Sequence, residues 1–380
     1  MIIGFDGSRA FDKKKTGTEN YSYQLLKALA KIDDKNTYIV YIRPNSQARN
    51  DNNGWPKNFK FVTIKWSRLW TQGGLAVQTF KDDLNVLYVP AHTLPLIRTP
   101  GIKTVVTVHD LGSEFLPSMH QLKQKLYLSI MQRYQLRGAS KIIAVSKATK
   151  RDLVERIGIE EDKIRVVYEG YDKELFRSVK EEILRNTLKY FDIEEGKYFL
   201  FVGTVQPRKN LERIIKAFSI VARDFAASKL VIAGSKGWMS DEVYQLPKKL
   251  GIEDKVKFLG YVADKDLPAL YSGAKALLFP SLFEGFGLPI LEAQACGCPV
   301  ITSDVSSMTE VPGYVRVNRH VAGKAAILVN PYSIDDIVRG MEKVQSAKWR
   351  VQSVKAGFEN IKRFSWEKCA KETLKVLLSS

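Results

Sequence analysis

Thiols and imidazoles are rare in this chain: of 380 residues, three are cysteine and four are histidine. Cys296, Cys298 and Cys369 form neither an even set nor a metal-ligand spacing, which argues against a disulfide framework and a thiolate metal site. Cys296 falls in an apolar helical pattern, so the three read as reduced packing residues. The scattered histidines offer no ligand cluster either. No run of about 18 consecutive apolar residues occurs, which excludes an ordinary spanning helix. The start, Met1-Ile-Ile-Gly-Phe-Asp6, lacks the basic and apolar regions of a signal peptide. The expectation is a cytoplasmic chain, soluble or peripheral. A Gly-x-Gly-x-x-Gly fingerprint is missing as well: Gly285-x-Gly287 runs on into Pro289 and Ile290, which weighs against a nicotinamide-dependent oxidoreductase.

What is present is core material and positive charge. With 45% hydrophobic residues the chain can bury two cores, and its length predicts two or three domains. The net charge is +18, and the excess leans toward the first half. Between Glu114 and Asp152 no acidic residue occurs, while Lys123, Lys125, Arg133, Arg137, Lys141, Lys147, Lys150 and Arg151 do. Leu122, Leu126, Ile130 and Tyr134 recur at helical spacing, with Tyr127 and Met131 widening the stripe. Gln121 to Arg137 is therefore a basic amphipathic helix, suited either to an anionic membrane surface or to ordinary packing with its lysines solvated. A non-catalytic protein binding membranes or nucleic acid by charge alone is a third reading. No helix-turn-helix, zinc-finger or RNA-motif pattern supports specific nucleic-acid recognition.

Short β-branched and aromatic runs alternate with helical patterns, the mark of parallel sheets built from βαβ units. The alternation occurs twice. The first set comprises Ile2 to Phe5, Tyr38 to Ile42, Phe59 to Ile64, Val86 to Val89, Thr104 to Val108, Ile142 to Val145 and Ile164 to Val167. The second comprises Tyr198 to Val202, Lys229 to Ala233, Val256 to Leu259, Ala276 to Phe279, Val300 to Thr302 and Ala326 to Val329. The predicted class is α/β, with two doubly wound parallel-sheet domains facing across a cleft. Residues 1–170 form the first domain, 171–196 a connection with one helical stretch, and 197–364 the second domain. Ligands of such folds sit outside the carboxyl ends of the strands.

Two segments lie there. In Ala276 to Gly297 an apolar strand is followed by Glu284-Gly285-Phe286-Gly287-Leu288-Pro289 and a helix in which Pro289 suits the first position and Gly297 the stop. The glycines let the loop backbone approach a ligand, and amides at the helix start favour a diphosphate. Glu292, expected in the first helical turn, can accept hydrogen bonds from sugar hydroxyls, as the acidic residue of dinucleotide folds does for a ribose. Glu284 can reach what lies beyond the phosphates. After the strand Tyr198 to Val202 comes Gly203-Thr-Val-Gln-Pro207-Arg208-Lys209-Asn210, where Asn210 suits an N-cap and Leu211, Ile214, Ile215 and Phe218 trace one helical face. Arg208 can fork onto phosphate oxygens and Lys209 can act as a point charge.

Together these motifs resemble retaining glycosyltransferases of family 4, in their mannosyltransferase-like branch. The carboxylates Glu284 and Glu292, with two glycines and a proline between them, carry the resemblance. So do Pro207-Arg-Lys-Asn210, Val231-Ile-Ala-Gly234-Ser, Val256-Lys-Phe-Leu-Gly260-Tyr-Val262 and Cys298-Pro-Val-Ile-Thr-Ser303. In the first half, Thr107-Val-His109-Asp110-Leu, Ala144-Val-Ser146-Lys and Val166-Val-Tyr-Glu-Gly170 follow the same family, and Ser67-Arg-Leu-Trp70 does so loosely. Phe364-Ser-Trp366-Glu resembles the segment leading a last helix, 365–380, back onto the first domain. The resemblance implies the GT-B fold, an acceptor-binding first domain and a donor-binding second one.

It also implies roles. Arg208 and Lys209 would neutralise the departing diphosphate, so that neither metal nor other cofactor is expected. Glu292 would hold the ribose, and Glu284 with the Gly285, Phe286, Gly287 and Leu288 backbone would orient the sugar. Gly17 and Gly203 would lie near the phosphates, Gly260, Tyr261 and Val262 near the base. His109 would bond the sugar or acceptor, or make a structural hydrogen bond. The implied reaction moves a hexose with retention, mannose from GDP-mannose first, to a glycan or polyprenyl-linked acceptor on the inner face of the cell membrane. A glucosyl or N-acetylhexosaminyl transfer from a UDP-sugar is the alternative.

The chain departs from the family pattern at Thr16-Gly17-Thr18, which lacks a second glycine and an arginine, and at Thr204, which often is arginine. Lys13-Lys14-Lys15 beside the first loop is either a solvated run or a clamp on an anionic acceptor.

Overall fold

A computed structural model describes residues 1–12, 17–44, 46, 54–66, 68–91, 93–111, 133–224, 228–311 and 325–380. Lys13 to Lys15, Ser67 and most of the expected 121–137 helix lie outside the described residues; its last part, 133–137, is helical. The chain divides into two compact units, Met1–Gly170 with Ser365–Ser380, and Tyr171–Phe364.

Each unit is built on a parallel sheet. In the first, β1 (Ile2–Asp6), β2 (Thr37–Ile42), β3 (Phe59–Thr63), β4 (Val86–Val89), β5 (Lys103–Val108), β6 (Lys141–Ala144) and β7 (Ile164–Val166) lie in the order β3-β2-β1-β4-β5-β6-β7. In the second, β8 (Tyr198–Val202), β9 (Lys229–Ala233), β10 (Val256–Gly260), β11 (Ala276–Phe279), β12 (Val300–Ser303) and β13 (Ile327–Val329) repeat the pattern as β10-β9-β8-β11-β12-β13. The strands found are those expected, with ends shifted by a residue. The reason they are legible is burial on both faces, which requires near-continuous apolar runs. All residues of β4, β8 and β11 are buried.

The pleat divides those residues between two cores. Phe199 and Phe201 of β8, Leu230 and Ile232 of β9 and Leu278 of β11 pack on one side with Leu211, Ile214, Ile215 and Phe218 of the helix Leu211–Asp224. That side also receives Ile337 and Met341 of the helix Ile334–Lys343. Residues 171–196, expected as a connection, belong to the second unit. There the helix Glu181–Tyr190 turns Leu184 and Leu188, four residues apart, against the helix Leu267–Gly273, where a Cβ on Gly273 would lie 2.9 Å from Leu188 Cδ1.

The last helix, Trp366–Leu378, is capped by Ser365, whose side chain accepts from the Lys368 amide. It packs on the helix Gly17–Ile32 of the first unit. Gly170 makes the return possible, because a Cβ there would stand 2.1 Å from the Trp366 backbone nitrogen. Among the described residues no helix is long and apolar enough to cross a membrane. Gly170→Ala should therefore displace the returning segment and cost about 3 kcal/mol, since overpacking against backbone has no flexible neighbour to yield. Urea denaturation would check it, and a midpoint equal to that of the wild type would refute the packing.

Candidate functional site

In both sheets the strand order reverses at one place, between β1 and β4 and between β8 and β11, and such switch points open a crevice at the strands' carboxyl ends. In the second unit the segments leaving β8 and β11 carry Arg208, Lys209 and Glu284. The Pro207–Lys209 turn is a single 3-10 turn closed by Asn210 at φ 63°. Asn210 Nδ2 donates to the carbonyls of Pro280 and Pro331 at 2.9 and 2.7 Å, so it ties the turn to two further loops. Its backbone carbonyl accepts from the Ile214 amide at 3.2 Å, placing it at the head of the helix as expected.

That turn is bonded to the loop after β11 through several contacts, among them Arg208 Nη1 donating to the Phe283 carbonyl at 3.3 Å. The Leu282 amide donates to the Arg208 carbonyl at 2.8 Å. Arg208 Nη1 donates to Glu284 Oε2 at 2.6 Å, and Lys209 Nζ to Glu284 Oε1 at 2.5 Å. Lys209 and Glu284 are each 7% exposed, so water does little to weaken the pair. Lys209 Nζ also lies 4.7 Å from the centre of the Phe279 ring. Burial alone would raise the Glu284 pKa, but the charges of Lys209 and Arg208 and their hydrogen bonds outweigh it, and the carboxyl is held below its ordinary value. A shift of that sign stabilises the fold at neutral pH, and the contribution is lost as pH falls through the lowered value.

The rest of the loop is equally fixed. Ser306 Oγ donates to the Glu284 carbonyl at 2.6 Å, and Ser307 Oγ lies 2.9 Å from the carbonyls of both Glu284 and Phe286. Gly287 adopts φ 108°, a conformation that disfavours any side chain, and heads the helix Leu288–Ala295. Pro289 is thus the second helical residue rather than the first, and Glu292 lies beyond the first turn, where it was expected. Starting the helix at Leu288 follows from the glycine, which ends the loop one residue sooner. Glu292 Oε2 accepts from Tyr271 Oη at 2.9 Å. Burial, together with the carboxylates of Asp264 and Asp172, raises the Glu292 pKa to about 7, with the Tyr271 bond opposing.

Gly203 has φ 143°, and a Cβ there would meet Lys209 Cε at 3.7 Å. Gly260 has φ 67° with open space where a Cβ would point. Tyr261 beside it is 64% exposed, and Val262 is buried.

In the first unit, Gly17 begins a helix, and a Cβ there would meet nothing within 4 Å. His109 follows β5. Its Nδ1 lies 3.1 Å from Glu169 Oε1 and its Nε2 2.9 Å from the Pro90 carbonyl. Both partners are acceptor oxygens, an arrangement that favours a ring donating at both positions and so the protonated form. Burial lowers its pKa, yet the bond to Glu169, that residue's charge and the Pro90 carbonyl together raise it. Both nitrogens are therefore engaged within the first unit, as in the structural reading of this residue, and a bond to sugar or acceptor would have to displace one of them. Tyr21 stands edge-on to the imidazole at 4.6 Å, and Trp366 edge-on to Tyr21 at 5.8 Å.

Two partners were missed from the sequence. Glu169 had a signal, a carboxylate just past the last strand of its sheet. Tyr271 had none, because it lies in a helix whose pattern reads as core.

Two cations and a carboxylate thus stand at the switch point of a doubly wound parallel sheet, the place where such α/β folds take their ligands. The comparisons give the family. Residues 182–357 match the model of the glycosyl transferases group 1, and 15–175 match that of Glycosyltransferase Family 4. The O-antigen chain mannosyltransferase B of Escherichia coli is 31% identical over 72% of this chain and 69% of its own. The O-antigen chain mannosyltransferase RfbU of Salmonella typhimurium is 27% identical over 92% and 95%. Among solved structures, Anabaena HepE in complex with UDP-glucose superposes with a TM-score of 0.76 at 18% identity, over 100% of this chain and 99% of that one. The chain belongs to glycosyltransferase family 4, on the GT-B fold.

Glu284 occupies both cations. Glu284→Gln should leave a buried positive pair uncompensated and destabilise the unit by roughly 3 kcal/mol. Added inorganic pyrophosphate should then raise the melting temperature of the variant more than that of the wild type. Equal gains in the two proteins would show that the cations do not receive the anion.

Proposed function

We propose that this glycosyltransferase moves a hexose, mannose first, from a nucleoside diphosphate sugar to a glycan or polyprenyl-linked acceptor with retention of anomeric configuration. The observation that carries the reading is the buried contact of Arg208 and Lys209 with Glu284, at the switch point of the second sheet. Two cations fixed beside a carboxylate suit a departing diphosphate, whose charge grows as the glycosidic bond to phosphate breaks. With both cations in the protein, the step needs neither metal nor other cofactor.

In this reading Glu284 and the backbone of Gly285 to Leu288 orient the sugar, Glu292 holds the ribose, and Tyr261 and Val262 border the base. Gly203 leaves room for the phosphates in the second unit. The acceptor oxygen attacks the anomeric carbon on the face the diphosphate leaves, and its proton passes to a phosphate oxygen, so no separate base is required. His109 holds Pro90 and Glu169 together within the first unit. GDP-mannose is the favoured donor because two relatives bear the name mannosyltransferase. A UDP-sugar is the second reading, favoured by the neighbour named as a UDP-glucose complex.

Melting the protein without metal against GDP, UDP, ADP and TDP and their sugars, with NADH as control, tests this. A ligand at a hundred times its dissociation constant adds about 2.7 kcal/mol to stability. One nucleotide series should stabilise, and Lys209→Ala should abolish the gain. A response to NADH alone would sink the reading.

The same proposal puts the chain at the inner face of the cell membrane, through the basic 121–137 stretch. Flotation with anionic liposomes at low salt should carry the protein upward, and 0.5 M salt should release it, the order of magnitude at which the Debye length falls to a few ångströms. Protein remaining at the bottom at low salt would remove membrane attachment.

A further inference from the structure

We infer that Tyr271 is a positioning residue for donor recognition: its hydroxyl fixes the Glu292 carboxylate so that Oε1 is presented to the ribose hydroxyls. The inference rests on the proposed role of Glu292. It comes from the hydrogen bond made to that carboxylate among the described residues, Tyr271 Oη donating to Oε2 at 2.9 Å.

A carboxylate on a two-carbon stem rotates about its last bond with little cost, so a lone Glu offers a ligand two equivalent oxygens in a broad range of planes. One donor on one oxygen ends that freedom. Tyr271 is well placed to be such a donor, because it cannot itself move: it is fully buried in the helix Leu267–Gly273, and its ring meets Phe176 edge-on at 6.2 Å. Glu292 sits in the middle of the helix Leu288–Ala295, and the two helices pack together. A phenol donates a single proton, so Oε1 keeps its lone pairs for a second partner. Vicinal hydroxyls of a ribose are donors at the spacing such a carboxylate accepts.

The surroundings make the phenol matter electrically as well as geometrically. Glu292 faces Asp264 from the turn before its neighbour helix, Asp172 from the start of the unit, and Cys296 at the end of its own helix. The two carboxylates oppose a negative charge at Glu292, the Cys296 thiol is kept neutral by its burial, and Tyr271 is the group among these that favours the charge. Deleting the phenol should therefore move the protonation of Glu292 to higher pH.

The test compares Tyr271→Phe and Glu292→Gln with the wild type, using GDP and UDP and their 2′-deoxy counterparts as probes in titration calorimetry from pH 5.5 to 8.5. A hydrogen bond to a charged group corresponds to roughly ten-fold in affinity, so the wild type should prefer the ribonucleotide by about that factor. Glu292→Gln should lose most of the preference. Tyr271→Phe keeps the ring and its packing, and should reduce the preference to about two- or three-fold while the acid limb of binding shifts to higher pH. A merely structural tyrosine would lower the melting temperature and move neither readout. If Tyr271→Phe keeps the full preference and the limb while Glu292→Gln loses the preference, the positioning role is wrong and the ribose reading stands. If Glu292→Gln keeps the preference, the ribose reading is wrong and the inference with it. Should Tyr271→Phe melt too low to titrate, Asp264→Asn supplies the second variant. It should move the limb to lower pH in a protein that still prefers the ribonucleotide, and an unmoved limb would overturn the electrostatic part of the inference.

Discussion

The second unit is organised around a carboxylate that answers two cations. Glu284 lies between Arg208 and Lys209, and to bring those three together the chain must align the ends of two adjacent central strands, β8 and β11. An arrangement of this kind is costly when incomplete: a buried charge without its partner loses several kcal/mol, so the contact tolerates little displacement of either loop. Many nearby features serve that tolerance. Asn210 fastens the cation turn to Pro280 and Pro331, and Ser306 and Ser307 fasten the backbone of Glu284 and Phe286. Gly234 lets β9 close against Gly203, where a Cβ would come 1.9 Å from the carbonyl oxygen.

The first unit repeats the device with weaker charges. His109 after β5 and Glu169 after β7 form the pair, and Pro90 after β4 takes the other ring nitrogen. Three strand ends are thereby joined by one imidazole ring. Behind it, Tyr21, Tyr88 and Thr107 share a buried hydroxyl network, with Tyr88 Oη and Thr107 Oγ1 2.7 Å apart. Trp366 closes the cluster from the returning C-terminal helix. Each sheet therefore carries a buried ionic group at its carboxyl end, supported by polar contacts that leave its members little room to move.

The fold was legible because both sheets are buried on two faces. Strands such as β8, Tyr-Phe-Leu-Phe-Val, admit no polar interruption, and Gly203, Gly234 and Gly260 mark where three of them stop. Arg208, Lys209 and Glu284 were legible by position, since each follows a strand within a few residues, and Glu292 lies within the helix after one. What the residues do to each other was not. Nothing in Pro207-Arg-Lys-Asn210 says that both cations meet Glu284, about 75 residues away along the chain. A periodicity argument also assigns Tyr271 wholly to the core, because it registers the ring and not the hydroxyl. Glu292 falls one residue deeper into the helix than the sequence predicts, because the helix start depends on the backbone angle at Gly287, which composition leaves open.

Glu284 and Glu292 share a residue type and a segment, yet their environments drive them in opposite directions. Burial raises both pKa values, but Glu284 gains two cations and ends below its ordinary value, whereas Glu292 gains two carboxylates as neighbours and ends near 7. The first is held toward its charged form, which can only accept hydrogen bonds. The second changes its charge near neutrality, so its ability to accept from a ligand depends on pH and on whatever hydrogen bonds it already has. A ligand offering hydroxyl donors to Glu292 would favour the ionised form and thereby draw its own binding group into the state that binds it. That coupling needs a carboxylate poised between two states, and a second cation beside Glu292 would abolish it. The different neighbours of the two residues are in this sense as much a part of the site as the carboxylates themselves.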